Sequence, residues 1–139
     1  GGEAQPHRLE GLSLLPRVFG AATPDWRSAA FSECDYAFRP ARKSLGLPPD
    51  RARAYMIRTE RWKYIAYDGF RPQLFDLHDD PGEFNDLGES AAHATVRADL
   101  SARLFEWLRH RRVRTTMSNR EVEARTGTAK ARGMLFGVW

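Results

Sequence analysis

A chain of 139 residues, 42% of them hydrophobic, has the size and apolar content of one domain with one modest core, which excludes wholesale disorder. Its formal charge is +4, with 19 Arg among 22 basic residues, and no apolar run approaches the roughly 18 residues that cross a bilayer. The single cysteine, Cys34, excludes an internal disulfide and any multi-cysteine metal site.

In chain order, Gly1 to Glu10 is polar and does not read as a signal peptide. Leu12, Leu14, Leu15, Val18 and Phe19 predict a short apolar helix, with Pro16 near its start and Gly20 ending it. Thr23-Pro24-Asp25 marks a turn, and Ala29 to Glu33 reads as a strand. Asp35 to Arg53 carries Pro40, Pro48 and Pro49 and reads as a long loop of the kind that contacts a partner.

Ala54 to Leu87 organises the chain. Tyr55-Met56-Ile57 and Trp62 to Tyr67 are rich in β-branched and aromatic residues and predict a hairpin. A two-residue turn at Glu60-Arg61 sets Ile57 opposite Tyr64, Tyr55 opposite Ala66 and Thr59 opposite Trp62 on one side. Met56 then faces Ile65 on the other, where Arg58 opposes Lys63. Opposed like charges need water, so the side bearing Ile57, Tyr64 and Trp62 is the expected core face. The turn lacks Gly or Asn, and a longer loop would alter this register. After the turn Asp68 to Pro72 comes a strand from Gln73 to Leu77, then the strong turn signal Asp79-Asp80-Pro81-Gly82.

Ala91 to Arg112 is the clearest helix. Val96, Leu100, Leu104, Trp107 and Leu108 share one face, and Ser90 is the expected N-cap. A small ribbon is marginal in water by itself, so the helix is expected to lie across the sheet. Ser118-Asn119-Arg120-Glu121 fits a capping box. Met134-Leu135-Phe136-Gly137-Val138-Trp139 is apolar and suits docking on this domain, on another domain or on another subunit.

Three blocks in this order carry a family resemblance: Met56 to Ile65, Gln73-Leu74-Phe75-Asp76-Leu77, and Asp80-Pro81-Gly82-Glu83 with Asn85-Asp86-Leu87. They resemble the C-terminal part of sulfatases, of the alkaline-phosphatase-like superfamily. Leu9 to Pro16 resembles the segment leading into that part, and Arg114 to Trp139 is similar to the tail of the phosphonate monoester hydrolase branch. The resemblance implies a parent that cleaves sulfate or phosphate esters with a divalent metal and a formylglycine made within a Cys-x-Pro-x-Arg or Ser-x-Pro-x-Arg motif. Such chemistry needs a metal and cations to offset charge on the transferring group.

This sequence has neither motif. Cys34 is followed by Asp35-Tyr36-Ala37-Phe38 and reads as a small, buried strand-end residue. The nearest approach to a metal cluster is His78-Asp79-Asp80 with Asp76, which reads as a solvated turn. His7, His93 and His110 read as surface residues, and Ser13 and Ser32 lack an evident base. Arg109 to Arg114 is a basic run that fits an anion site and, equally well, a helix C-terminus running into a solvated linker.

The expected fold is α+β: a small antiparallel sheet of about four strands, one long C-terminal helix across it, and an extended tail. Residues 1–28 form a lead-in from a catalytic domain, 29–113 the sulfatase-like domain, and 114–139 a docking tail. The expected role is a non-catalytic C-terminal domain, inactive alone, that supports the catalytic domain, its pocket mouth or an oligomer. No catalytic, cofactor-binding or metal-ligating residue is assigned in this chain; metal and formylglycine are expected in the catalytic domain. The expected partners are that domain and a second copy through the tail, with neither nucleic acid nor membrane. The lone thiol suggests the cytoplasm. The alternative is an independent module whose basic surface engages an anionic partner. A self-sufficient enzyme using Asp76 to Asp80 is a third reading.

Overall fold

The computed structural model describes residues 11–23, 26–111, 118, 120, 121 and 124. The lead-in block Leu9-Glu10, His7, Arg112 to Arg114 and the apolar end Met134–Trp139 lie outside the described residues. Two compact units result: Asp25–Arg109, and a second drawn from the two ends of the chain.

The central unit is an antiparallel meander of four strands, β1 (Ala30–Asp35), β2 (Arg53–Arg58), β3 (Trp62–Tyr67) and β4 (Gln73–Asp76), in that spatial order. The β2–β3 register pairs Tyr55 with Ala66, Met56 with Ile65, Ile57 with Tyr64 and Arg58 with Lys63, as a two-residue turn sets it. The two-residue turn forms without Gly or Asn. Thr59 N–H donates to the Trp62 carbonyl (2.8 Å), and Trp62 N–H donates to Thr59 Oγ1 (2.9 Å). A side-chain acceptor at the mouth of the turn thus fixes a hairpin whose turn residues stay out of the left-handed region.

The long helix comprises a 3₁₀ turn at Ala91–His93 and α3 (Ala94–His110), the third α-helix of the chain. Leu100 and Leu104 meet Ile57, Tyr64 and Leu74 in a buried cluster flanked by Phe31, Trp62, Val96, Trp107 and Leu108. Phe31 and Trp107 stack with centroids 4.8 Å apart and planes 3° from parallel. Burying one large apolar side chain contributes about 1.5–3 kcal/mol, which explains why the ribbon needs the helix. Ser90 occupies the N-cap position, but its hydroxyl meets His93 Nδ1 (2.9 Å) rather than a backbone N–H.

The stretch read as a loop holds two helical turns, α2 (Pro40–Ser44) and a 3₁₀ turn at Pro49–Arg51. Pro40 opens α2, where its missing N–H costs nothing. Arg42 then bridges the Ala37 carbonyl (2.6 Å) and the Leu47 carbonyl (3.0 Å), tying both ends of the segment together.

In the second unit, α1 (Leu15–Val18) forms as expected and ends at Gly20, whose φ of 71° suits a residue without Cβ. Leu14, Leu15, Val18 and Phe19 are all exposed. The capping box is present: Ser118 N–H donates to Glu121 Oε2 (2.7 Å), and Glu121 N–H donates to Ser118 Oγ (3.2 Å).

Candidate functional site

The candidate metal cluster resolves into a structural latch. Trp62 pairs with Asp76 across β3–β4, which brings the hairpin tip beside the end of β4. Arg61 therefore reaches Asp76, donating from Nε to both carboxylate oxygens (3.1 Å each) and from Nη2 to Oδ2 (2.7 Å). His78 N–H adds a bond to Oδ1 (3.2 Å), and Leu77 N–H donates to the Arg61 carbonyl (2.7 Å). The Arg61 guanidinium beside Asp76 holds its carboxyl below the usual range, more than offsetting desolvation. His78 turns instead to Asp79 (Nδ1 to Oδ1, 2.6 Å), and both are exposed. Among the described residues no three His, Cys, Asp or Glu side chains gather as a metal site.

The turn Asp80 to Gly88 guards the outer edge of β4. Leu87 N–H donates to the Leu74 carbonyl (2.8 Å), while Leu74 N–H donates to Asp86 Oδ1 (3.1 Å). An aspartate side chain and one backbone amide thus satisfy an edge that would otherwise invite another strand. Burial would raise the Asp86 carboxyl, but Gly88 N–H (2.8 Å), Leu74 N–H and Arg71 (2.9 Å) hold it low. Glu83 sits at φ 57° and takes Lys63 Nζ at 2.5 Å. The Asp-Pro-Gly-Glu and Asn-Asp-Leu blocks are therefore edge chemistry.

Cys34 is exposed, against the expectation of burial. It lies on the sheet face away from α3, with Ser32, Ala54, Met56, Ile65 and Tyr67, where a shallow groove opens. A strand residue is buried only if something covers its face, and α3 covers the other one. His93 departs from its surface reading: it is half-buried, its ring meeting Trp62 edge-on with centroids 5.7 Å apart. His110 is exposed, and Arg109 pairs with Glu106 on its own helix. Ser13 Oγ accepts Leu15 N–H (3.3 Å), and Ser32 is exposed.

A second groove, of about 430 Å³, lies where β1, α2 and the β3–β4 turn converge. Tyr36, Ala41, Leu45, Tyr67 and Phe70 line it, with Arg71 and Gln73. No reading of the sequence anticipated it, because four separate segments supply its walls.

A meander with one covering helix, whose described polar clusters hold its turns and its edge, defines a small α+β domain. Residues 1–110 match the family model described as N-sulphoglucosamine sulphohydrolase, C-terminal, and the chain belongs to that family of sulfatase C-terminal domains. It is 31% identical over 110 residues to the multifunctional alkaline phosphatase superfamily protein PehA of Trinickia caryophylli, covering 77% of this chain and 21% of the relative. It is 34% identical over 110 residues to arylsulfatase K of Bos taurus, covering 70% and 18%. The solved phosphonate monoester hydrolase of Silicibacter pomeroyi superposes with a TM-score of 0.67 at 30% identity, covering 77% of this chain and 22% of that one. The chain thus spans about a fifth of the length of the curated relatives it matches.

Proposed function

We propose that the chain serves as the non-catalytic C-terminal domain of a sulfatase or phosphonate monoester hydrolase, and that the open sheet face packs on the catalytic domain. The observation that carries this reading is the apolar patch at the middle of that face; its charged pair, Arg58 and Lys63, lies toward the hairpin end, where Lys63 is engaged by Glu83. Ala54, Met56, Ile65 and Tyr67 stand on the side that α3 leaves uncovered, at the centre of a four-stranded sheet. Sheets of this size bury both faces when a second layer is available. The relatives are about four times as long as this chain, which leaves ample further sequence for such a layer.

The formylglycine and divalent metal that the family resemblance implies would then belong to the catalytic domain. The described residues of this chain do not fit such a group, since the Asp76 oxygens are already bound by Arg61 and His78 N–H. Some basic side chains are engaged with carboxylates within the domain: Arg51 with Asp68, Lys63 with Glu83 and Arg71 with Asp86.

The test is Ile65→Lys, introduced both into this chain alone and into the intact parent enzyme. Ile65 is half-buried in this chain, so the isolated chain should lose about 1 kcal/mol, the ordinary cost of one substitution. The parent should lose clearly more, with activity falling along with its Tm. Equal losses in both contexts would refute the packing role of this face.

A further inference from the structure

Phe38 is the most exposed large apolar side chain among the described residues, and the chain holds it there. It stands in the turn that links β1 to α2, with the peptides on both sides of it fixed. Ala37 N–H donates to Asp35 Oδ1 (2.8 Å), Arg39 N–H donates to the Tyr36 carbonyl (2.9 Å), and the Ala37 carbonyl accepts Arg42 Nε (2.6 Å). Pro40 then opens α2. Single exposed apolar side chains are ordinary on a protein surface. Phe38 differs in its preparation: a turn braced on both sides has already lost the freedom that docking an aromatic anchor otherwise costs.

The charge around the ring narrows the partner. Between Tyr36 and Pro49 the sequence carries three basic residues and no acidic one. Arg42 is spent on the Ala37 and Leu47 carbonyls. Arg39 and Lys43 are exposed and form no ion pair among the described residues. The matching surface is an apolar recess rimmed by carboxylates. Two copies meeting through this turn in a symmetric contact would set cations against cations, which disfavours self-docking here. The position of the turn points the same way. Tyr36 lines the open sheet face and, with Ala41 and Leu45 of the α2 segment, the adjoining groove. A layer laid on that face therefore meets the turn two residues beyond Tyr36.

We propose that Phe38 anchors this domain on the catalytic domain of the parent enzyme, its ring entering an apolar recess while Arg39 and Lys43 pair with carboxylates at the rim. The inference rests on the packing role of the open sheet face proposed above and adds the residue and the chemistry that lock it.

The experiment follows hydrogen exchange of the amides in residues 37–45, in this chain alone and in the intact parent enzyme. Exchange in the parent should be slower by about tenfold or more. Phe38→Ala should remove that difference, and Arg39→Glu with Lys43→Glu should cut it at least threefold. All three positions are exposed, so the isolated chain should keep its Tm within about two degrees in every variant. Equal exchange in the two contexts, or protection that survives Phe38→Ala, overturns the proposal. So does protection that disappears when the parent is diluted to monomers, which would assign the contact to a second copy. Ile65→Lys separates the two readings: if it lowers the parent's Tm more than the isolated chain's while Phe38→Ala changes nothing, the face packs and the anchor alone fails.

Discussion

Arg61, at the tip of the β2–β3 hairpin, grips Asp76 at the end of β4 through three hydrogen bonds between one guanidinium and one carboxylate. The carboxylate is 8% exposed and the guanidinium 53%, so the pair is half in water. Solvent screening reduces its worth on the Arg side, but Asp76 depends on it to remain charged where it is. Asp76→Ala should cost about 1–2 kcal/mol, seen as a lower urea midpoint with an unchanged m-value. Its pH dependence has a definite sign. The folded-state pKa of Asp76 is depressed, so its stabilisation is fully present above the unfolded carboxylate value of about 3.9. It is lost as pH falls through the lower folded value. Arg61→Ala should remove that depression, so less of the chain's stability is lost on acidification. A denaturation series from pH 7 to pH 2 reads this directly.

Gly88 is required by close approach, not by conformation. A Cβ there would lie 2.1 Å from the Pro72 carbonyl oxygen and 2.9 Å from Asp86 Oδ1. The backbone carbonyl cannot move without shifting the strand that follows it. Gly88→Ala should therefore cost about 1–3 kcal/mol through overpacking. It should also free the β4 edge, because Asp86 can no longer accept both Leu74 N–H and Gly88 N–H in place. Hydrogen exchange at the Leu74 amide should accelerate more than at Ile57, in the middle of the sheet. Equal acceleration at both sites would mean that the edge is not held locally.

Two parts of this architecture were legible in the sequence because local rules decide them. A two-residue turn gave the hairpin register that forms, and within it the opposition of Arg58 and Lys63 marked the other side as the core. The four-four-three spacing from Val96 to Trp107 likewise left one face for the core. The latch was hidden because Arg61 and Asp76 are 15 residues apart and meet only through the β3–β4 pairing. Asp76 thus resembled a metal ligand when taken with His78 and Asp79. Cys34 was misplaced for a related reason: alternation assigns a strand residue to a face, but not which face is covered. The α2 turn had a readable signal, Pro40 at a first helical position, which the density of Pro and charge around it obscured.

The core makes a sharper demand on Leu104 than on its neighbour. Leu104 is fully buried against the sheet, whereas Phe105 is 49% exposed on the opposite side of α3. Leu104→Ala should cost about 2–5 kcal/mol, a large share of what a small domain has. Phe105→Ser should stay within about 0.5 kcal/mol. The stacked pair Phe31–Trp107 offers a local probe. Near-ultraviolet circular dichroism from Trp107 should collapse in Leu104→Ala and persist in Phe105→Ser.

Thr59 does at the hairpin what glycine does in most two-residue turns. Its hydroxyl accepts Trp62 N–H at 2.9 Å, and neither Glu60 nor Arg61 enters the left-handed region. Thr59→Val keeps the β-branched shape but removes the acceptor, which leaves Trp62 N–H unpaired beside a half-buried ring. The expected cost is about 1 kcal/mol. Thr59→Ser retains the oxygen and should recover most of it. Because the turn also aims Arg61 at Asp76, Thr59→Val should weaken the latch as well. In a double-mutant cycle with Asp76→Ala the two losses should fall short of additive, and strict additivity would show that turn and latch are independent.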